Sequence, residues 1–297
     1  MKKILCIGLI ICLSTSLVAC NNEGSTEFKD FDSSLNDVKN KDRELKQVMD
    51  DIELERLDNL SKTDMTDDNK KAFNDLQNKL NSKLIPKVEE YEIAAKNLPA
   101  ESNETKDLKS TYLDSVKNKK AAINELKTFI DLCNQSIKAN EDILEYTKLF
   151  EKNRSQVEDN MDKANDTGGS TDVSKFKQQL EQNNKDLKHT AEKEADATDS
   201  TKVKQSIEEQ IMPLINKQIR DLNKAEITDG YVNDARKNAI EMYYSLQNYY
   251  ETREETIEIS EQLSKIDYNA LPKKGEELER YEKAFNKKYQ EAKNKYN

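Results

Sequence analysis

The sequence predicts an all-α protein of about seven coiled-coil-like helices, in one elongated bundle or two linked bundles. Three observations carry this. Only 6 glycines and 4 prolines occur in 297 residues, too few turn-formers for a many-stranded sheet. Apolar residues recur at steps of three and four over most of the chain. Charged residues make up 36% of the chain and mean hydropathy is −0.98, near the disordered range, yet that regular spacing favours long, thin helices over coil.

The order begins with Met1-Lys2-Lys3, a short positive stretch, followed by the apolar run Ile4 to Leu13. A run that short is a secretory signal rather than a spanning helix. Leu17-Val18-Ala19-Cys20 follows and resembles the lipobox of bacterial lipoproteins. The resemblance implies cleavage after residue 19 and a diacylglyceryl thioether on Cys20, with palmitate-type acyl chains. No other cofactor is expected. Removing 1–19 leaves 278 residues (297 − 19) and takes the formal charge from −10 to −12 with Lys2 and Lys3 gone. So acidic a chain is a poor partner for nucleic acid and for anionic cell-wall polymers. Cys6 and Cys12 leave with the signal and Cys20 carries lipid, so Cys133 stands alone and no disulfide forms within the mature chain.

Residues 20–30 read as a lipidated tether, polar and carrying Gly24 and Ser25. Its nine residues Asn21 to Lys29 reach roughly 15–20 Å as coil and about 30 Å stretched. The first helix is expected from about Asp32 to Leu60, with Phe31, Leu35, Val38, Leu45, Met49 and Ile52 on one face. Ser61 to Asp68 breaks the pattern, and Asp67 or Asp68 caps the second helix. That helix carries Phe73 to Leu98 in stripe, is kinked at Pro86, and ends at Leu98-Pro99. A third, very long helix covers about Glu104 to Ala164, with a break near Asn140 allowed for; its stripe includes Tyr112, Val116, Ile123, Cys133 and Leu144. Cys133 is expected to be buried and inert.

Asp166 to Asp172, containing Gly168-Gly169, reads as a linker or hinge. It divides a first helical unit, 31–165, from a second, 173–297. A thinly patterned helix runs to about Ala195 and holds His189, the only histidine, which is expected in solvent. A fifth helix, about Thr201 to Ala225, contains Pro213; Asp229-Gly230 turns into a sixth, about Tyr231 to Ile266; a last one carries Leu278, Tyr281 and Phe285. Pro86 and Pro213 lie 127 residues apart (213 − 86), and at that offset Leu80 matches Ile207, Leu84 matches Ile211 and Val116 matches Tyr243. Duplication of a helical unit explains this, as does chance phasing of two heptad-like stretches.

The sixth helix contains Glu241-Met242-Tyr243-Tyr244. With the lipobox, this tetrapeptide resembles the EMYY-motif lipoproteins of Gram-positive bacteria, and the likeness spans the whole chain. It implies a lipid-anchored surface protein of unestablished function. The Lys-, Asn- and Ile-rich composition without tryptophan suits the same AT-rich source. A looser likeness, to cell-wall-binding lipoproteins of bacilli, is carried by no motif. On a helical wheel, Met242 and Tyr243 belong to the apolar face, Tyr244 points about 200° from Met242, and Arg253 falls about 20° from Met242. Met242 and Tyr243 are therefore expected in the core and Tyr244 in solvent or against a partner. Arg253 is expected in a buried ion pair or an anion site between helices.

No phosphate-binding loop, metal-binding spacing or nucleophile motif occurs, so no catalytic residue and no metal is expected. The expectation is a non-enzymatic binding or structural module of the cell envelope, lipid-anchored on the extracellular face of the cell membrane, with an unknown envelope or host protein as partner. The alternatives are an envelope enzyme using paired carboxylates and a ligand receptor with its site at Arg253.

Overall fold

A computed structural model describes the backbone of residues 16–52, 67–195, 199–267, 270–271 and 277–296, and the side chains of these except 16–23, 67–68 and 193–195. Within them lie α1 (Ser16–Asp50), α2 (Asp67–Lys79), α3 (Ile85–Lys96), α4 (Asn103–Asp166), α5 (Ser170–Ala195), α6 (Ser200–Ser206), α7 (Met212–Lys224), α8 (Gly230–Leu263) and α9 (Lys283–Tyr296). No strand occurs among the described residues. α2 runs into α3, and α6 into α7, without a break, so the described residues hold seven helices, the number the periodicity predicts. The segment expected to end the first helix, including Leu60, lies outside the described residues.

Both prolines are absorbed in the same way. Leu80–Leu84 and Ile207–Ile211 are single π turns, each immediately ahead of a helix with proline in its first turn. Proline has no amide to give the carbonyl four residues back. Widening the preceding turn lets Ile85 N–H reach Leu80 O, and Met212 N–H reach Ile207 O. Leu80, Leu84, Ile207 and Ile211 stay buried, so the stripe continues through the bulge. In α4 the break allowed near Asn140 does not occur: the helix is continuous, and the Asn140 amide donates to Ser136 O at 2.9 Å.

The chain divides into two compact units, residues 1–131 with 266–297, and residues 132–265. This corrects the expected division at 166–172. The residues 31–165 and 173–297 do not form the units, because each unit takes its fourth helix from elsewhere in the chain. In the first, α9 supplies it. Phe285 sits edge-on to Tyr112 at 4.7 Å, Lys288 pairs with Asp107 at 2.7 Å, and the Tyr289 hydroxyl donates to Asp32. In the second, residues 132–166 of α4 supply it, with Val157 and Ala164 in one buried cluster with Phe176, Ile211 and Ala235.

The expected hinge at Gly168-Gly169 is instead a tight helix cap inside the second unit. Gly169 N–H bonds Ala164 O at 2.7 Å and Gly168 N–H faces Asn165 O at 3.4 Å, with Gly168 at φ 97°. This is a Schellman cap, which needs glycine at the left-handed position. A Cβ on Gly169 would meet the Asp229 carboxylate at 2.6 Å. The glycines serve close approach, not freedom.

The two units repeat one plan. α4 begins at Asn103 and α8 at Gly230, 127 residues apart (230 − 103). Ser102 Oγ accepts from Thr105 N–H as Asp229 Oδ1 accepts from Val232 N–H, and Lys109 Nζ reaches Leu98 O as Arg236 Nη1 reaches Ala225 O. Glu27 on α1 receives the amides of Glu101 and Ser102; Asp172 on α5 receives those of Thr228 and Asp229. The loops and the helices that follow them keep the offset of 127, while the acceptors on α1 and α5 match at 145 (172 − 27). Duplication of a helical unit leaves this pattern; chance phasing of apolar stripes would not reproduce polar caps.

Candidate functional site

Cys20 lies within α1, which is helical from Ser16 onward. The expected tether at residues 20–30 is therefore corrected: it is helix, and its side chains join the body from Gly24. A Cβ at Gly24 would lie 3.5 Å from Tyr296 Oη, and Phe28, 3% exposed, stacks with Tyr296 at 5.2 Å and Tyr289 at 6.1 Å. Phe28 is the physical reason. One large aromatic, three residues before Phe31, extends the apolar face backward through an otherwise polar stretch.

α8 carries the tetrapeptide. Asp229 caps it, its carboxylate accepting from Val232 N–H at 3.0 Å. Met242 and Tyr243 are buried, the latter fully, while Tyr244 is 45% exposed. The wheel places all three correctly. Burial pushes the Tyr243 hydroxyl up to about 12, against a smaller opposing pull from the Asn183 amide. Beside the motif, a groove of about 280 Å³ is lined by Tyr146, Thr147 and Phe150 of α4 and Ser245, Leu246 and Tyr249 of α8. Leu144, expected in the stripe of α4, is 55% exposed.

Arg253 is exposed, which corrects its expected place on the core face. The buried position belongs to Thr252, in step with Ser245 and Ile259 at intervals of seven. A seven-residue repeat means 3.5 residues per turn rather than 3.6. Over eleven residues from Met242 the difference turns Arg253 from about 20° to about 50° from Met242, on the side away from the buried Thr252. Arg253 instead lines an open depression of about 420 Å³ with Ser200, Thr256, Ile257, Ser260, Glu261 and Ser264. The Ser200 hydroxyl donates to Glu261 at 2.6 Å, so a carboxylate shares the depression, an unfavourable neighbour for an anion. Nearby, the Glu254 carboxyl is held above the usual range by burial and by the Glu208 carboxyl, with Lys204 opposing.

Several polar groups in the interiors went unpredicted. In the first unit Lys119, 1% exposed, sits between Asp42 Oδ1 at 2.7 Å and Glu282, with its ammonium 5.3 Å from the Tyr91 ring centre. The Tyr91 and Tyr112 hydroxyls bond at 3.1 Å. In the second unit Asn183, Gln218 and Tyr243 are buried together, and Gln218 Nε2 donates to Asn183 O at 3.0 Å. The signal was spacing. Lys119 falls between Val116 and Ile123, and Gln218 between Ile215 and Leu222, where the stripe calls for an apolar residue.

Cys133 is partly buried, and burial raises its thiol to about 12, which leaves little thiolate for nucleophilic chemistry at neutral pH. His189 is exposed. No helix among the described residues is long and apolar enough to cross a membrane, and no group of three or more His, Cys, Asp or Glu among them could hold a metal.

A family model described as "EMYY-motif containing lipoprotein" matches residues 1–293. No curated protein and no solved structure matches the chain.

Proposed function

The chain belongs to the EMYY-motif containing lipoprotein family, and from that premise we propose that it acts, lipidated on Cys20, as a non-enzymatic binding or structural module on the extracellular face of the cell membrane. The observation that carries the binding reading is α8. The helix that fixes the second unit's core through Met242 and Tyr243 also exposes Tyr244 and lines an aromatic groove with Leu246 and Tyr249. Exposed aromatics held by a rigid element cost little entropy to dock and are favoured interface anchors. The continuity of α1 from Cys20 into the packed helices, without a flexible spacer, supports a partner close to the bilayer.

Cross-linking on intact cells followed by partner identification tests this reading. An envelope or host protein, or a wall glycan, recovered with the chain supports it; recovery of lipid alone counts against it. Cys20→Ala is expected to move the protein from the membrane fraction to the soluble one, because two acyl chains give stable anchoring. Retention in the membrane fraction would contradict the anchor.

A further inference from the structure

We propose that the junction of α5, α7 and α8 is an internal binding site for one water molecule, held by Asn183, Gln218 and the motif tyrosine Tyr243. Three observations meet there. The three residues are 8%, 1% and 0% exposed, so bulk solvent does not satisfy them. Asn183 Nδ2, Gln218 Oε1 and Tyr243 Oη are each buried without a hydrogen-bond partner in the protein. The three residues are also neighbours: Gln218 Nε2 bonds the Asn183 backbone carbonyl at 3.0 Å, and the Asn183 side chain lies close enough to the Tyr243 hydroxyl to lower its pKa without meeting it in hydrogen-bond geometry.

The orientation of Gln218 is fixed by chemistry. A backbone carbonyl only accepts, so the amide nitrogen must face Asn183 O, and the amide oxygen is turned to the other side. This leaves one obligatory donor at Asn183, one obligatory acceptor at Gln218, and a hydroxyl at Tyr243 that can serve as either. Water matches that set. It accepts from Asn183 Nδ2, donates to Gln218 Oε1, and completes a third bond with Tyr243 Oη, the usual number for an internal water. A cation would find an amide donor and no charge; an anion would find the Gln218 oxygen.

The corresponding positions of the first unit are Val38, Tyr91 and Val116, where the one hydroxyl is already bonded to Tyr112. The water site therefore belongs to the unit that carries the tetrapeptide, and gives Tyr243 a role that phenylalanine could not fill.

A crystal structure of the protein purified from membranes tests this directly. The expected result is a single peak of solvent density within about 3 Å of all three atoms. In solution, long-lived water should transfer magnetisation to the Gln218 side-chain amide, and Tyr243→Phe should lose that transfer while the circular dichroism stays helical. Density showing Asn183, Gln218 and Tyr243 bonded directly to one another, with no solvent peak, would overturn the proposal. So would transfer that persists unchanged in Tyr243→Phe.

Discussion

The two units place polar groups at neighbouring points of the same plan, and they use different chemistry there. In the first, Lys119 lies in the core between Asp42 and Glu282, and the tyrosine pair Tyr91–Tyr112 closes the cluster. In the second, Leu246 takes the place of Lys119, and the neutral residues Asn183, Gln218 and Tyr243 supply the polarity. Buried charge demands its partners in fixed positions, and here it fastens α1, α4 and the segment leading into α9 to one point. The first unit, which also contains Cys20, is thus tied by charge. The second is held by a neutral network beneath the motif helix.

The comparison extends to the surface. The tetrapeptide 241–244 corresponds to Asp114-Ser115-Val116-Lys117, with the same order of exposure: out, in, in, out. The plan fixes which residues point outward, and only the second unit presents a tyrosine there. The outward tyrosine is specific to that unit.

The difference can be broken most severely at Lys119. Lys119→Met leaves Asp42 and Glu282 without their cation and is expected to cost about 3–5 kcal/mol, read from thermal or denaturant unfolding. Lys46→Met, which removes a pair with Glu279 between exposed side chains, is expected to change stability by about 0.5 kcal/mol or less. Equal effects would deny the buried cluster its role. Next comes the glycine cap. Gly168→Ala forces a side chain into the left-handed region and is expected to destabilise the second unit by about 1 kcal/mol; no change would restore the hinge reading of 166–172.

Acid should sharpen the comparison of the loop caps. Burial raises the Glu27 carboxyl, but the bonds from Thr105, Ser102 and Glu101 outweigh it and hold it at about 2; backbone bonds from Asp229 and Thr228 lower Asp172. Both are depressed on folding, so their stabilisation is present above the unfolded carboxyl range and is lost as pH falls through the folded values. Glu27→Gln should flatten the acid limb between about pH 5 and 2, and Asp172→Asn should do so more weakly. The smallest effect has the opposite sign. Glu254 is raised by burial and by Glu208, so the charged state destabilises the fold at neutral pH and the penalty fades on acidification. Glu208→Gln should therefore stabilise the second unit by a few tenths of a kcal/mol at pH 7, with no gain near pH 3.

The helices were legible because spacing by three and four survives a highly charged composition. The prolines were legible as perturbations, although the π turn that absorbs each had to be seen. The units were not legible. A helix contributed by Lys283–Tyr296 to the beginning of the chain leaves no local mark, and a glycine pair reads alike as hinge or cap. At the candidate site, the inward and outward turn of Met242, Tyr243 and Tyr244 followed from the wheel. Arg253 did not, because a supercoiled helix drifts from the ideal period over three turns. Asn183 and Gln218 were hidden because a stripe read for apolar residues passes over a polar residue standing in register.

Under the binding role proposed above, the second unit meets a partner through the outward face of its motif helix, and the first unit does not. A photo-cross-linking residue placed at Tyr244, and separately at the equivalent Lys117, on intact cells tests it most directly. A discrete adduct from position 244 and none from 117 is the expected result. Adducts of the same kind from both positions, or none from 244 with the protein folded and membrane-bound, would contradict it.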